Sequence, residues 1–129
     1  MEYINASLEL NPFQIKSFIQ KGTLHLQLGE REIAEEMFNK AMSMSPQDEI
    51  PDTIIGITYS YFFLKDYHHT IHWGERILSE YPEEQNSILM LLIYSYFELG
   101  NSNQCLSLLE KAKQIIEENP TKNYQIKES

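Results

Sequence analysis

The sequence predicts an all-α fold, a superhelix (solenoid) of stacked helical hairpins, on three observations. Apolar residues recur at helical spacing along most of the chain, and no stretch alternates apolar and polar residues as a half-buried strand does. Prolines stand at Pro12, Pro46 and Pro82, 34 and then 36 residues apart. A second set of landmarks, Leu28-Gly29, Leu64-Lys65 and Leu99-Gly100, runs in step with them at spacings of 36 and 35. A fixed period of this size marks a repeat array, because one hairpin cannot bury its apolar face alone and must stack on the next.

Each period holds two helices. Asn11-Pro12 opens the first, with Asn as N-cap and Pro at a position where a missing N–H costs nothing, and the helix is expected from about Pro12 to Leu28. Gly29 supplies the left-handed stop. The second helix is expected from about Arg31 to Met44, ending before Pro46. The next hairpin repeats the plan over about Pro51 to Leu64 and Tyr67 to Glu80, the latter capped by Asp66. The third spans about Glu83 to Leu99, then Asn103 to Glu118 with Ser102 as cap.

The bulk composition agrees. The chain has 129 residues, 42% hydrophobic and 22% charged, enough to bury a continuous core without covalent staples. Nineteen acidic residues face ten basic ones, a formal net charge of -9, and the bases are scattered singly. Such an acidic surface repels phosphate backbones and anionic lipid, which excludes nucleic acid as a partner class. A lone cysteine, Cys105, rules out an internal disulfide framework and fits a reducing, cytoplasmic setting. Met1 to Asn5 lacks the pattern of a secretion signal, and the apolar run from Ile88 to Phe97 is too short to span a bilayer.

The segment Phe18-x-x-Lys21-Gly22-x-x-His25, followed by Ala34-x-x-x-Phe38, Ala41 and Pro46, resembles the signature of the tetratricopeptide repeat family. Phe18 stands for the signature aromatic and His25 for its tyrosine; Lys21 departs from it. The second unit follows with Ile54, Ile57-Thr58, Tyr61, Thr70, Gly74, Ile77 and Pro82. Gly74 takes a slot where an aromatic is expected, with Trp73 adjacent. The third gives Leu89, Leu92-Ile93, Tyr96, Gly100, Cys105, Leu109 and Ala112. The resemblance covers residues 1–119, with a half-repeat helix at about 1–14 and units at about 15–48, 51–84 and 86–119; residues 120–129 read as a polar tail. Small residues (Gly22, Ala34, Ala41, Gly74, Cys105, Ala112) are expected where backbones approach closely. Phe18, Phe38, Tyr61, Leu89, Tyr96 and Leu109 are expected to fill the volume opposite them.

The resemblance implies a protein-interaction module, a scaffold, adaptor or chaperone-like part, in which the first helix of each pair lines a concave groove. The groove positions then carry Lys16, Ile19, Thr23, Leu26 and Gln27; Asp52, Ile55, Tyr59, Phe62 and Phe63; and Ser87, Met90, Tyr94, Phe97 and Glu98. The lysine, asparagine and arginine clamp with which some members hold a peptide carboxylate is missing, since Ile19, Thr23, Gly56, Ser87 and Met90 fall at those places. A groove that met only water would be polar, so the apolar and aromatic set Ile19, Thr23, Leu26, Ile55, Tyr59, Phe62, Phe63, Met90, Tyr94 and Phe97 points to an apolar peptide or an amphipathic helix as ligand.

The alternative of the same fold is a self-associating assembly subunit, its groove filled by its own tail (Tyr124, Ile126) or by a second copy. The leading half-repeat, with Tyr3, Ile4, Leu8 and Leu10, would favour a homodimer or a place in a longer array.

No enzyme is expected: the five glycines stand alone, so no phosphate loop forms, and no nucleophile elbow is present. His68 and His72, four apart on one helical face, form the second alternative, a metal-dependent function. Two ligands make neither a closed nor a catalytic site, so no metal and no cofactor is assigned.

Overall fold

A computed structural model of the chain describes residues 12–118. The expected half-repeat falls outside them up to residue 11, and the tail at 120–129 falls outside them entirely. Six α-helices follow in order among the described residues: α1 Pro12–Gln27, α2 Arg31–Met44, α3 Ile50–Phe63, α4 Tyr67–Glu80, α5 Leu89–Glu98 and α6 Ser102–Glu118. Short 3-10 turns at Gln47–Glu49 and Pro82–Ser87 lead into α3 and α5. The helices pair as hairpins α1/α2, α3/α4 and α5/α6, and α4 also lies along α5.

The same device closes the first helix of every hairpin. Gly29 and Gly100 take φ of 82° and 78°, and Lys65 takes φ 62° in the equivalent place. The residue after each returns its N–H five positions back: Glu30 to the His25 carbonyl, Asp66 to Tyr61 and Asn101 to Tyr96, at 2.8, 3.0 and 2.9 Å. This six-to-one bond is the Schellman closure, which satisfies carbonyls that the helix end leaves open. The recurring Leu-Gly and Leu-Lys landmarks are therefore the left-handed residue and its predecessor.

The core runs between helices as two clusters. Ala34, Phe38, Ile57 and Tyr61 join the first hairpin to the second, with the Phe38 and Tyr61 rings 5.3 Å apart. Ile54, Ile77, Ile88, Leu89, Leu92, Ile93, Cys105 and Leu108 join the second to the third. Burying each large side chain contributes about 1.5–3 kcal/mol, so stacking the hairpins supplies much of the stability. Trp73, one place off the expected aromatic slot, packs against both clusters. Gly74 beside it admits Leu92, whose Cδ2 would lie 2.8 Å from an added Cβ. Lys21, the departure from the signature, places its ammonium 5.3 Å from the Phe18 ring centre, with Lys40 at 5.6 Å on the same ring.

Four expectations are corrected. The helix expected from Glu83 to Leu99 breaks at Ile88 (φ -126°, ψ -4°) into the 3-10 turn and the ten-residue α5. The break buries Ile88 fully, and it places Ser87 on the turn and not on the helix. The cap of α6 is Asn101, whose Oδ1 accepts the Gln104 N–H at 3.3 Å, instead of Ser102. Leu108 is buried where Leu109 was expected, and Leu109 is 44% exposed. The Phe38 slot faces the next hairpin, and among the described residues no hairpin follows α6 to cover Leu109. Ala112 is only half-buried there for want of the same neighbour.

Candidate functional site

The first helices of successive hairpins lie side by side in the same direction. Ile19 of α1 meets Gly56 of α3, where an added Cβ would stand 3.3 Å from its Cδ1, and four residues on Thr23 donates to the Ser60 hydroxyl at 2.8 Å. Contacts that advance together along both helices define a parallel pair. From α3 to the third hairpin the order holds: the Tyr59 hydroxyl donates to the Ser87 carbonyl at 3.2 Å, and the Phe62 ring meets the Tyr94 ring edge-on at 5.6 Å.

This packing divides the ten expected groove residues. Ile19 and Leu26 are half-buried against the Phe38 cluster, and Ile55 against the Leu92 cluster. Thr23 is half-buried, bonded to Ser60 and back to the Ile19 carbonyl at 2.9 Å. These four hold helices to one another. The other six gather at the end of α3 and on α5. Phe63, Phe97 and Met90 are 74%, 66% and 65% exposed, with Tyr94 and Tyr59 also exposed and Phe62 half-buried.

Sequence reasoning missed Tyr67, the first residue of α4. Its ring stands 5.9 Å from Tyr94 and 6.2 Å from Phe62, which completes an edge-on aromatic trio. The signal was present, since an aromatic directly after the Asp66 cap returns toward the end of α3 across the tight turn. The Glu98 carboxylate, and after it Tyr67, push the Tyr94 hydroxyl above its usual range. Toward the other end, a recess of about 360 Å³ opens between α1 and α3, lined by Ile15, Lys16, Ile19, Glu49, Asp52 and Gly56 among others.

The histidines lie elsewhere. His68 and His72 are exposed and line an open recess of about 400 Å³ between α2 and α4 with Glu35, Asn39, Tyr61, His69 and Trp73. His69 stacks on Tyr61 at 4.8 Å and holds Asp66 at 3.0 Å, so it serves the hairpin junction. Among the described residues no group of three or more His, Cys, Asp or Glu is placed to hold a metal. None of their helices is long and apolar enough to cross a membrane.

Residues 15–48, which hold most of α1, all of α2 and the turn beyond, match the family model described as tetratricopeptide repeat. The first hairpin is a tetratricopeptide repeat. No curated protein and no solved structure matches the chain. The second and third hairpins share the first one's helix order and closing turns. Tetratricopeptide repeats are a family of protein-interaction modules and are not generally enzymes.

Proposed function

We propose that the first-helix face binds an apolar segment of another protein, as an extended peptide or the apolar side of an amphipathic helix. One observation carries this reading: Phe63, Met90 and Phe97, each about two-thirds exposed or more, stand at the end of α3 and along α5, two helices whose Phe62 and Tyr94 rings meet at 5.6 Å. Scattered apolar residues on a surface need no explanation, but a contiguous group of large ones costs solubility and usually marks an interface. Aromatic residues and Met are the types enriched at interface centres. The trio of Phe62, Tyr67 and the exposed Tyr94 is held ring to ring, so this part of the surface is already ordered and little side-chain entropy remains to be lost on binding. Cys105, free and buried, suits a reducing cytoplasmic setting.

The test is titration of synthetic amphipathic helical peptides onto the chain, followed by fluorescence anisotropy. Phe63→Ala/Phe97→Ala removes two exposed rings and leaves the buried core intact. The proposal expects this variant to melt as the parent does and to bind at least about tenfold more weakly, as hot-spot truncations do. Unchanged affinity, or a stable dimer by light scattering that the same substitutions dissolve, would overturn it in favour of self-association.

A further inference from the structure

We infer that the occupant of this face is basic: a segment whose apolar side is flanked by lysine or arginine. The inference rests on the interaction reading above and adds the chemistry of the partner.

Because α1, α3 and α5 run in parallel, their starting ends share one edge of the face. That edge is acidic. The 3-10 turn before α3 carries Asp48 and Glu49, the first turn of α3 carries Asp52, and the turn before α5 carries Glu83 and Glu84. Glu49 and Asp52 reach the recess between α1 and α3. At the opposite end Glu98 stands beside Tyr94. The ion pairs among the described residues are His25–Glu30, Arg31–Asp66, His69–Asp66 and Arg76–Glu80, and none of these edge carboxylates takes part. Lys16 is the one base at the groove positions. The face is thus an apolar strip between carboxylates that form no ion pair among the described residues.

Two consequences follow for what can sit there. A second copy of the chain, with a formal charge of -9, would bring like charges together along both edges, which disfavours that pairing. A segment with lysine or arginine beside its apolar residues would neutralise the edges while its apolar side covers Phe63, Tyr94 and Phe97. Each exposed pair adds little alone, so two or three should tighten binding about three- to tenfold and speed association at low salt.

The experiment compares three peptides of about 18 residues, roughly 27 Å as helices. All share one apolar face, and their polar faces are built on lysine, serine or glutamate. Binding to the full chain is read by fluorescence anisotropy at low and high salt. The expected order is lysine over serine over glutamate, with the gap closing as salt is raised. Charge reversal at the edge, Glu49→Lys/Asp52→Lys, should erase the preference. The same change of net charge on exposed α2 positions, Glu32→Lys/Glu36→Lys, should leave it. Equal binding of the lysine and serine peptides, or equal loss from both reversals, overturns the basic-partner inference and leaves the interaction surface standing. Failure of all three peptides, or a dimer that excludes them, overturns both. Should the edge reversal unfold the chain, the salt dependence of the parent still decides.

Discussion

A Cβ added at Gly22 would stand 2.5 Å from Cε1 of the Phe38 ring, with two more ring atoms inside 3.0 Å. Phe38 is fully buried and cannot withdraw. The ring of the second helix is thus seated on the bare backbone of the first, and this contact sets the spacing of the hairpin.

Gly22→Ala and Gly56→Ala should therefore move stability in opposite directions. Both gain about 1 kcal/mol of helix propensity. At Gly22 the gain is outweighed by overpacking, for a net loss of about 1–2 kcal/mol. At Gly56 the nearest atom is Ile19 Cδ1 at 3.3 Å, the end of a flexible side chain, so the change should be neutral or stabilising by up to about 1 kcal/mol. Phe38→Ala, which empties the site, should cost about 3–5 kcal/mol. Urea denaturation of the three variants checks the order.

Asp66 links two hairpins and supplies an acid-sensitive joint. It caps α4 by accepting the His69 N–H and ring nitrogen, and its Oδ2 lies 2.9 Å from Arg31 of the first hairpin. Burial alone would raise its pKa, but the His69 hydrogen bonds and the charges of His69 and Arg31 together hold it below the ordinary carboxylate value. The sign is that of a depressed acid: the stabilisation is present above the unfolded pKa, about 4, and is lost as pH falls through the lower folded value. Asp66→Asn should flatten that acid limb, and Asp66→Ala should also remove the cap at a cost of about 1 kcal/mol near neutrality. Thermal melts from pH 7 to 2 distinguish the two.

Legibility in the sequence followed the range of the interaction. The period, the closing turns and the buried Ala34, Phe38, Ala41 and Tyr61 could be read because each rests on local spacing within one or two helices. Ile88 could not, since its break depends on burial in a cluster shared between the second hairpin and its own. Leu109 failed for the reciprocal reason: the frame assigned it a neighbour that no described residue provides. In the candidate site the frame set Leu26, Ile55, Phe63 and Phe97 alike on the first helices but could not tell Leu26 and Ile55, consumed by packing, from Phe63 and Phe97, left in solvent. That difference is set by how closely adjacent first helices approach, and Gly56 and Ser60 decide it across the chain from Ile19 and Thr23.

At high pH two phenols, buried Tyr61 and half-buried Tyr96, oppose ionisation. Burial, then Glu35 and Asp66, push Tyr61 up to about 12; burial, then its 2.6 Å hydrogen bond to Glu75, pushes Tyr96 up to about 12. Below about pH 10 both are protonated in either state and contribute no pH dependence. Between about 10 and 12 the unfolded chain releases the protons first, so stability falls as pH rises. Tyr96→Phe should lessen that decline, because the variant has one phenol fewer to ionise. It would also leave Glu75 without its donor. Denaturation midpoints for parent and variant at pH 9 and 11 measure the difference.

Lys65 takes φ 62° where the other two hairpins place Gly29 and Gly100 at 82° and 78°. The left-handed region costs a residue with a Cβ about 1–2 kcal/mol, and the Schellman bond from Asp66 to Tyr61 keeps it there. Lys65→Gly relieves that strain. It also gives the unfolded chain more freedom to lose on folding, which offsets about 0.4–1 kcal/mol of the gain. Lys65 is exposed and forms no ion pair among the described residues, so its side chain adds nothing to set against the change. The expected result is a net stabilisation of about 0.5–1 kcal/mol, seen as a higher urea midpoint at unchanged slope. The reverse substitution, Gly29→Lys, should cost a similar amount, and equal midpoints for all three chains would show that the closure carries no strain at this position.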